Sequence, residues 1–322
     1  MTRCVIRILA VVAIVVKMSH AEAIFPVRPV RVIVPFSPGS SDVTARLIAQ
    51  KLSDASGQQF VVDNRPGASG IIGTNMVVKA PPDGYTLLFH TCTLVISTAL
   101  NRRLPYRVLQ DFDPIAHIAN SPTILVTNPS LPVNNLKELI AFAKLNPAAL
   151  NYGSIGPGSL AYLAAELFKE AARVPLTEVP YQGTAPAITA VMAGEVQLMF
   201  SVLGASLPQV RNGKLKAIAM ASAQRSPLLP DLPAVAESGL PGFDAICWHG
   251  IFSPRGTEQG IVARLNTHIV NALATPEMRS RLAAPGFESV PASTSPEFAR
   301  YVAKEVDKWA RVIRTAGVQV KV

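Results

Sequence analysis

The stretch Val30-Arg31-Val32-Ile33-Val34-Pro35-Phe36-Ser37-Pro38-Gly39-Ser40-Ser41-Asp42 sets the grammar of this chain. A short β-branched run ends at a proline. A loop of glycine, serine and proline follows, and a helix opens behind it. Val43, Leu47, Ile48 and Leu52 fall on one face of that helix, which the spacing predicts over 43–55. Ser41 or Asp42 is the expected N-cap and Gly57 the stop. The same order recurs downstream. Phe60-Val61-Val62 leads into Asn64-Arg65-Pro66-Gly67-Ala68-Ser69-Gly70, a helix over 71–79 and a strand at 85–90. A second series begins with a strand at 124–126 and a helix over 136–145. Asn151-Tyr152-Gly153 then opens the loop Ser154-Ile155-Gly156-Pro157-Gly158-Ser159, and a helix over 160–172 follows. A strand at 177–181, a helix starting at Pro186 and ending at Gly194, and strands at 196–202 and 215–221 come next. Helices over 260–273, 277–283 and 296–315 close the chain. Strands alternating with helices imply parallel sheets covered on both faces. Two such series imply an α/β protein of two doubly wound lobes.

Composition supports that size and excludes other classes. The 322 residues suit two domains of ordinary length. With 49% hydrophobic and 16% charged residues, there is ample material for a core, and intrinsic disorder is excluded. The 27 prolines are scattered, so they punctuate loops and do not form a stiff linker. Formal charge is +9, yet no run of five Lys/Arg occurs, which argues against a nucleic-acid partner. Residues 1–23 carry Arg3 and Arg7, an apolar run from Ile8 to Val16, and Ala21-Glu22-Ala23, the three parts of a secretory signal. The run is half the length of a membrane span. Export places the chain in the periplasm, with a net charge of +7 and two cysteines, Cys92 and Cys247. An oxidising compartment permits their pairing. Two free buried thiols are the simpler expectation at this separation.

The two glycine- and serine-rich loops carry the chemistry. Each lies between a strand end and a helix start, where open α/β sheets form their ligand crevices. A helix N-terminus leaves about four N–H groups without partners and carries roughly half a positive charge. Each loop is therefore a candidate anion cradle built from main chain. Two cradles facing one another suit a molecule with carboxylates at both ends. Other chemistries lack support. Gly67, Gly70 and Gly73 do not have dinucleotide spacing, there is no Gly-x-Ser-x-Gly, and the histidines show no metal-ligand spacing. No acid/base pair is evident, so an enzyme, a metal and a cofactor are not expected. Arg65 and Arg102-Arg103 read as solvated or structural, and Asp111 and Asp113 beside Pro114 as capping or turn residues.

The same loops carry a resemblance to the Bug family, the extracytoplasmic solute receptors of tripartite tricarboxylate transporters. It extends through Asp83-Gly84-Tyr85-Thr86-Leu87, Asp111-Phe112-Asp113-Pro114, Tyr152-Gly153-Ser154, Pro180-Tyr181-Gln182-Gly183, Glu237-Ser238-Gly239-Leu240-Pro241-Gly242-Phe243 and Trp248. The resemblance implies a two-lobed periplasmic binding protein of type 2-like fold, closing on a small carboxylate in a cleft. It implies a first domain of residues 24–122 and 248–322, and a second of 123–247. It also implies a two-subunit membrane permease as partner and a monomeric state. The implied binding residues are Phe36, Ser37, Gly39, Ser40, Ser41 and Asp42 from the first loop. Ser154, Gly156, Gly158 and Ser159 come from the second, with Tyr162 and Ser201 nearby. Four positions depart from the family's habit. Ser40 and Ser69 stand where glycine is usual, Tyr162 where histidine is common, and Ser201 where aspartate is common. The last departure removes a partner for an amino group and favours a plain carboxylate. An exported α/β hydrolase using Ser37 or Ser159 is the alternative of another class, with no histidine in either loop to serve it. A sensory receptor of the same fold, signalling to a membrane kinase, is the third.

Overall fold

The computed structural model describes residues 25–100 and 103–318. The signal-like segment at 1–23 and Arg102 lie outside the described residues. The chain runs β1 (Val30–Val34), α1 (Ser40–Ser56), β2 (Phe60–Asn64), α2 (Ile71–Val78), β3 (Thr86–Thr91), α3 (Thr93–Leu100), α4 (Val108–Asp111) and β4 (Phe112–Ser121). After Pro122 come β5 (Thr123–Thr127), α5 (Leu136–Leu145), β6 (Asn151–Ser154), α6 (Leu160–Ala172), β7 (Thr177–Pro180), α7 (Thr184–Ala193), β8 (Leu198–Val202), α8 (Leu203–Arg211) and β9 (Lys216–Met220). The last group is β10 (Cys247–Pro254), α9 (Gln259–Leu273), α10 (Pro276–Ala283), β11 (Glu288–Ser289) and α11 (Ser295–Thr315).

Two sheets result, one per lobe. The first has the order β11-β4-β10-β3-β1-β2, the second β7-β6-β8-β5-β9. In the first, β1 lies parallel between β2 and β3. In the second, β6 lies parallel between β7 and β8. The carboxyl ends of these parallel strands therefore release the loops that sequence singled out. Neither sheet is wholly parallel, contrary to expectation: β10 is antiparallel to β3 and β4, and β5 to β8 and β9. The reason is connectivity. The chain leaves the first sheet along β4 and enters the second one residue later, and the strand bringing it back must run in the opposite sense. Local pattern hides β4. It is buried at most positions, so it shows no alternation, and it contains Pro114, which sits at a register shift opposite Phe252. Asp113 is not a turn residue. Its carboxylate accepts from Arg255 Nη1 at 2.9 Å and from the Gly256 N–H at 2.8 Å.

Helix α11 ties the lobes together. Thr294 and Glu297 form a reciprocal capping box at its start. Its apolar face buries Phe298, Val302, Trp309 and Val312 within a core that also includes Leu163 and Phe168 of α6. Arg311 reaches Glu170 of α6 at 3.3 Å. On that face Glu305 is buried and accepts from Trp248 Nε1 at 3.3 Å and Trp309 Nε1 at 3.1 Å, with Lys308 as its ion partner. The expectation of free thiols is corrected: Cys92 and Cys247 are joined, their Cα atoms 5.1 Å apart across 155 residues of sequence. The bond links the residue preceding α3 to the first residue of β10. Among the described residues, no helix is long and apolar enough to cross a membrane.

Candidate functional site

The loop after β1 is held from below. Asn64 Nδ2 donates to the Phe36 carbonyl at 3.0 Å, and Arg46 Nη2 donates to Asn64 Oδ1 at 3.1 Å. The Phe36 ring meets the buried His90 ring edge-on at 5.0 Å. Ser37 and Gly39 are exposed, and Ser41 is half-buried. The expected side-chain cap is absent. Gly39 is the N-cap of α1, which begins at Ser40, and being glycine it offers no side-chain acceptor to the first turn. Asp42 turns to Arg46 instead, Oδ2 to Nε at 2.9 Å, while its Oδ1 is buried with no partner. An N-cap without a side-chain acceptor suits a main-chain anion cradle.

The second loop is organised from within. Ser154 is fully buried. Its hydroxyl donates to Glu178 and accepts from the Gly156 N–H at 2.8 Å. Ser159 caps α6: its Oγ accepts from the Tyr162 N–H at 3.2 Å and donates to the Gly156 carbonyl at 2.8 Å. Burial, with Glu166 and Glu178 nearby, raises the Tyr162 pKa, so its phenol stays neutral. Ser201 is buried on β8 and donates to the Val202 carbonyl at 3.3 Å. Ser154 and Ser201 are thus spent on the scaffold, and the Ser159 hydroxyl is engaged as a cap, not poised as a nucleophile.

The two loops share one cavity, of about 410 Å³. Phe36 comes from the first loop and Pro157, Gly158 and Ser159 from the second. Ala68, Ser69 and Ile71 reach it from the turn into α2, and Leu104 from the segment beyond α3. Helix α3 supplies Thr93, Ile96, Ser97 and Leu100. Of the sequence-derived residues, Phe36, Gly158 and Ser159 line the cavity. Ser37, Gly39, Ser41, Asp42, Ser154, Gly156, Tyr162 and Ser201 do not, and the Ser40 side chain lies outside the described residues. Sequence reasoning missed α3 altogether. Its signal was present: Thr93 and Ser97, then Ile96 and Leu100, repeat at a helical spacing of four behind a third strand. Ala68 and Ser69 stand at φ values of 47° and 54°, left-handed backbone that glycine adopts more readily. Such local strain concentrates at ligand sites. No charged side chain lines the cavity among the described residues. Among them, no group of three or more His, Cys, Asp or Glu is placed to hold a metal ion. What the cavity offers is hydroxyls, main chain and apolar surface.

Comparison with known proteins gives this geometry its context. Residues 44–318 match the model described as "Tripartite tricarboxylate transporter family receptor".

The chain belongs to that family.

It is similar to protein BugT of Bordetella pertussis, with 37% identity over 324 residues covering 98% of this chain and 99% of that one. Among solved structures it is similar to Rpa4515 of R. palustris with adipate, at 38% identity and a TM-score of 0.75, covering 92% of this chain and 99% of that one. It is also similar to MatC from Rhodopseudomonas palustris with bound malate, at 35% identity and a TM-score of 0.71, covering 90% and 100%. The receptor therefore has the two-lobed α/β fold of periplasmic solute-binding proteins, and it is a binding protein, not an enzyme.

Proposed function

We propose that this receptor captures a small carboxylate in the cavity between its two lobes and delivers it to a two-subunit membrane permease. The observation that carries this is the shared cavity itself: both loops after parallel strands open onto it, the first through Phe36 and the second through Pro157, Gly158 and Ser159 at the start of α6. Its hydroxyls on Ser69, Thr93 and Ser97 and the adjoining main chain are neutral groups able to hold a carboxylate, while the Ser159 hydroxyl, its proton given to the Gly156 carbonyl, caps α6. Two relatives are solved with dicarboxylates, adipate and malate, which supports the ligand class. On this reading the segment at 1–23 exports the chain to the periplasm, where it acts as a monomer. Residues 24–122 with 248–322 close as one body against 123–247, hinged at Pro122 and at the return into β10.

The energetics are sufficient. A hydrogen bond to a charged group contributes about 1.5–3 kcal/mol. Four to six of them, less association and closure costs, reach roughly micromolar affinity, about −8 kcal/mol. A ligand touching both lobes binds the closed form preferentially, and only that difference moves the hinge. The test is thermal unfolding of the mature protein against succinate, malate, adipate, citrate, benzoate and glutamate, followed by calorimetric titration. An acid present at 100 times its Kd adds about 2.7 kcal/mol of stability. Absence of stabilisation by every acid overturns the proposal.

A further inference from the structure

The cavity's wall divides by chemistry. On α3 the four lining residues occupy one face, about 100° wide at 3.6 residues per turn. Thr93 and Ser97 run along one side of that face, Ile96 and Leu100 along the other. Ile71 of α2 and Leu104 are further apolar residues of the lining. Leu100 also crosses to the second lobe, where its Cδ1 would be 2.6 Å from a Cβ placed on Gly158. Hydroxyls and four aliphatic side chains, Ile71, Ile96, Leu100 and Leu104, therefore line the same small volume.

We infer that the ligand is a carboxylate with an apolar body, a methylene chain or an aromatic ring, and that the lining residues Ile71, Ile96, Leu100 and Leu104 select it over hydroxylated or aminated acids of equal length. This deepens the proposed function and rests on it. A carboxylate needs donors, which the main chain at the start of α6 and the Thr93–Ser97 stripe supply. The body between or beyond the carboxylates meets side chains that offer no hydrogen bond. A hydroxyl pressed against them gives up water and gains no partner. An ammonium finds no carboxylate on this wall among the described residues, and an unpaired buried charge is costlier still.

Matched pairs isolate the body from the carboxylates. Succinate and tartrate share one carbon skeleton, and adipate, galactarate and 2-aminoadipate share another. In calorimetric titrations of the mature receptor, the plain acid binds at least about tenfold more tightly than its hydroxylated or aminated counterpart, within the range one misplaced polar group costs in an apolar pocket. Leu100→Asn and Leu104→Asn alter half-buried positions, and circular dichroism verifies their folding. Either substitution narrows the ratio several-fold. Equal or tighter binding of tartrate, galactarate or 2-aminoadipate overturns the inference, as does a ratio unmoved in both folded variants. Should neither variant fold, the wild-type ratios decide alone. Failure of every acid to bind is a different result, which removes the carboxylate reading and this inference with it.

Discussion

Replacing Gly158 with alanine separates two roles that this one residue plays. Its φ is +91°, left-handed backbone, and its missing Cβ leaves room for Leu100 from the other lobe. An L-residue in left-handed backbone costs about 1–2 kcal/mol. That cost falls on the folded protein whether or not ligand is bound. The new Cβ also lies 2.6 Å from Leu100 Cδ1, inside any real contact, so either the leucine leaves its rotamer or the lobes part slightly. A displaced rotamer costs about 0.5–1.5 kcal/mol. Charged against closure, that is a roughly 2- to 12-fold loss of affinity. Urea unfolding without ligand reads the first effect, and calorimetric titration with the most stabilising acid reads the second. A double-mutant cycle with Leu100→Ala tells them apart. In the Leu100→Ala background, Gly158→Ala still lowers stability by about 1–2 kcal/mol, because the backbone conformation is unchanged. It no longer lowers affinity, because the opposing atom is gone. If Gly158→Ala weakens binding equally in both backgrounds, Leu100 does not meet Gly158 on closure and the reasoning fails.

Acid destabilises this receptor through its histidines. Burial lowers the His90 and His117 pKa values to about 4, and burial, then the charges of His117 and His90, lower that of His249 to about 3. An unfolded histidine titrates near 6.5, so below that pH the unfolded chain binds more protons and stability drops as pH falls. At pH 5 each of the three costs about 2 kcal/mol relative to neutral pH. Asp244, Glu288 and Glu305, whose pKa values burial raises, titrate in the opposite sense and return part of it. Urea midpoints at pH 7 and pH 5 measure the sum, and a midpoint that holds or rises at pH 5 contradicts it. Gly73→Ala places a Cβ 2.6 Å from the Arg65 carbonyl oxygen and 2.9 Å from Pro35 Cβ, backbone and ring that cannot swing aside. We expect a loss of about 1–3 kcal/mol by urea unfolding, and wild-type stability would show the approach to be looser. Removing the bond between Cys92 and Cys247 with paired alanines costs about 2–5 kcal/mol, and reductant then has no further effect on the variant.

Much of this molecule could be read from order along the chain. The strand at Val30–Val34, the helix stopped by Gly57, and helices α5 and α6 match their sequence signals closely. Periodicity, caps and glycine stops act over a few residues, and those residues are neighbours in sequence. The loops at Phe36 and at Gly158-Ser159 were found the same way, because a strand end, a glycine and a helix start are local facts. Where the signals misled, a longer-range interaction had taken over. Ser41 or Asp42 reads locally as the cap of α1, but both fall inside the helix behind Gly39, and the Asp42 carboxylate pairs with Arg46, which in turn reaches Asn64. Ser154 and Ser201 look available in sequence, and both hydroxyls are consumed by the scaffold.

Local order is silent on who faces whom. The antiparallel strands β4 and β10 exist because the chain must cross between lobes and return, a constraint that leaves no periodic mark on either segment. Pairing of Cys92 with Cys247 depends on bringing together residues 155 apart. The cavity is of the same kind. Phe36, Ser69, Ser97 and Ser159 share a wall only because two sheets set their strand ends toward one another across α3. Local bonding and helix period are carried by adjacent residues and can be read from them. Proximity between distant segments is created by packing, and for this chain it took the folded lobes to show which loops meet.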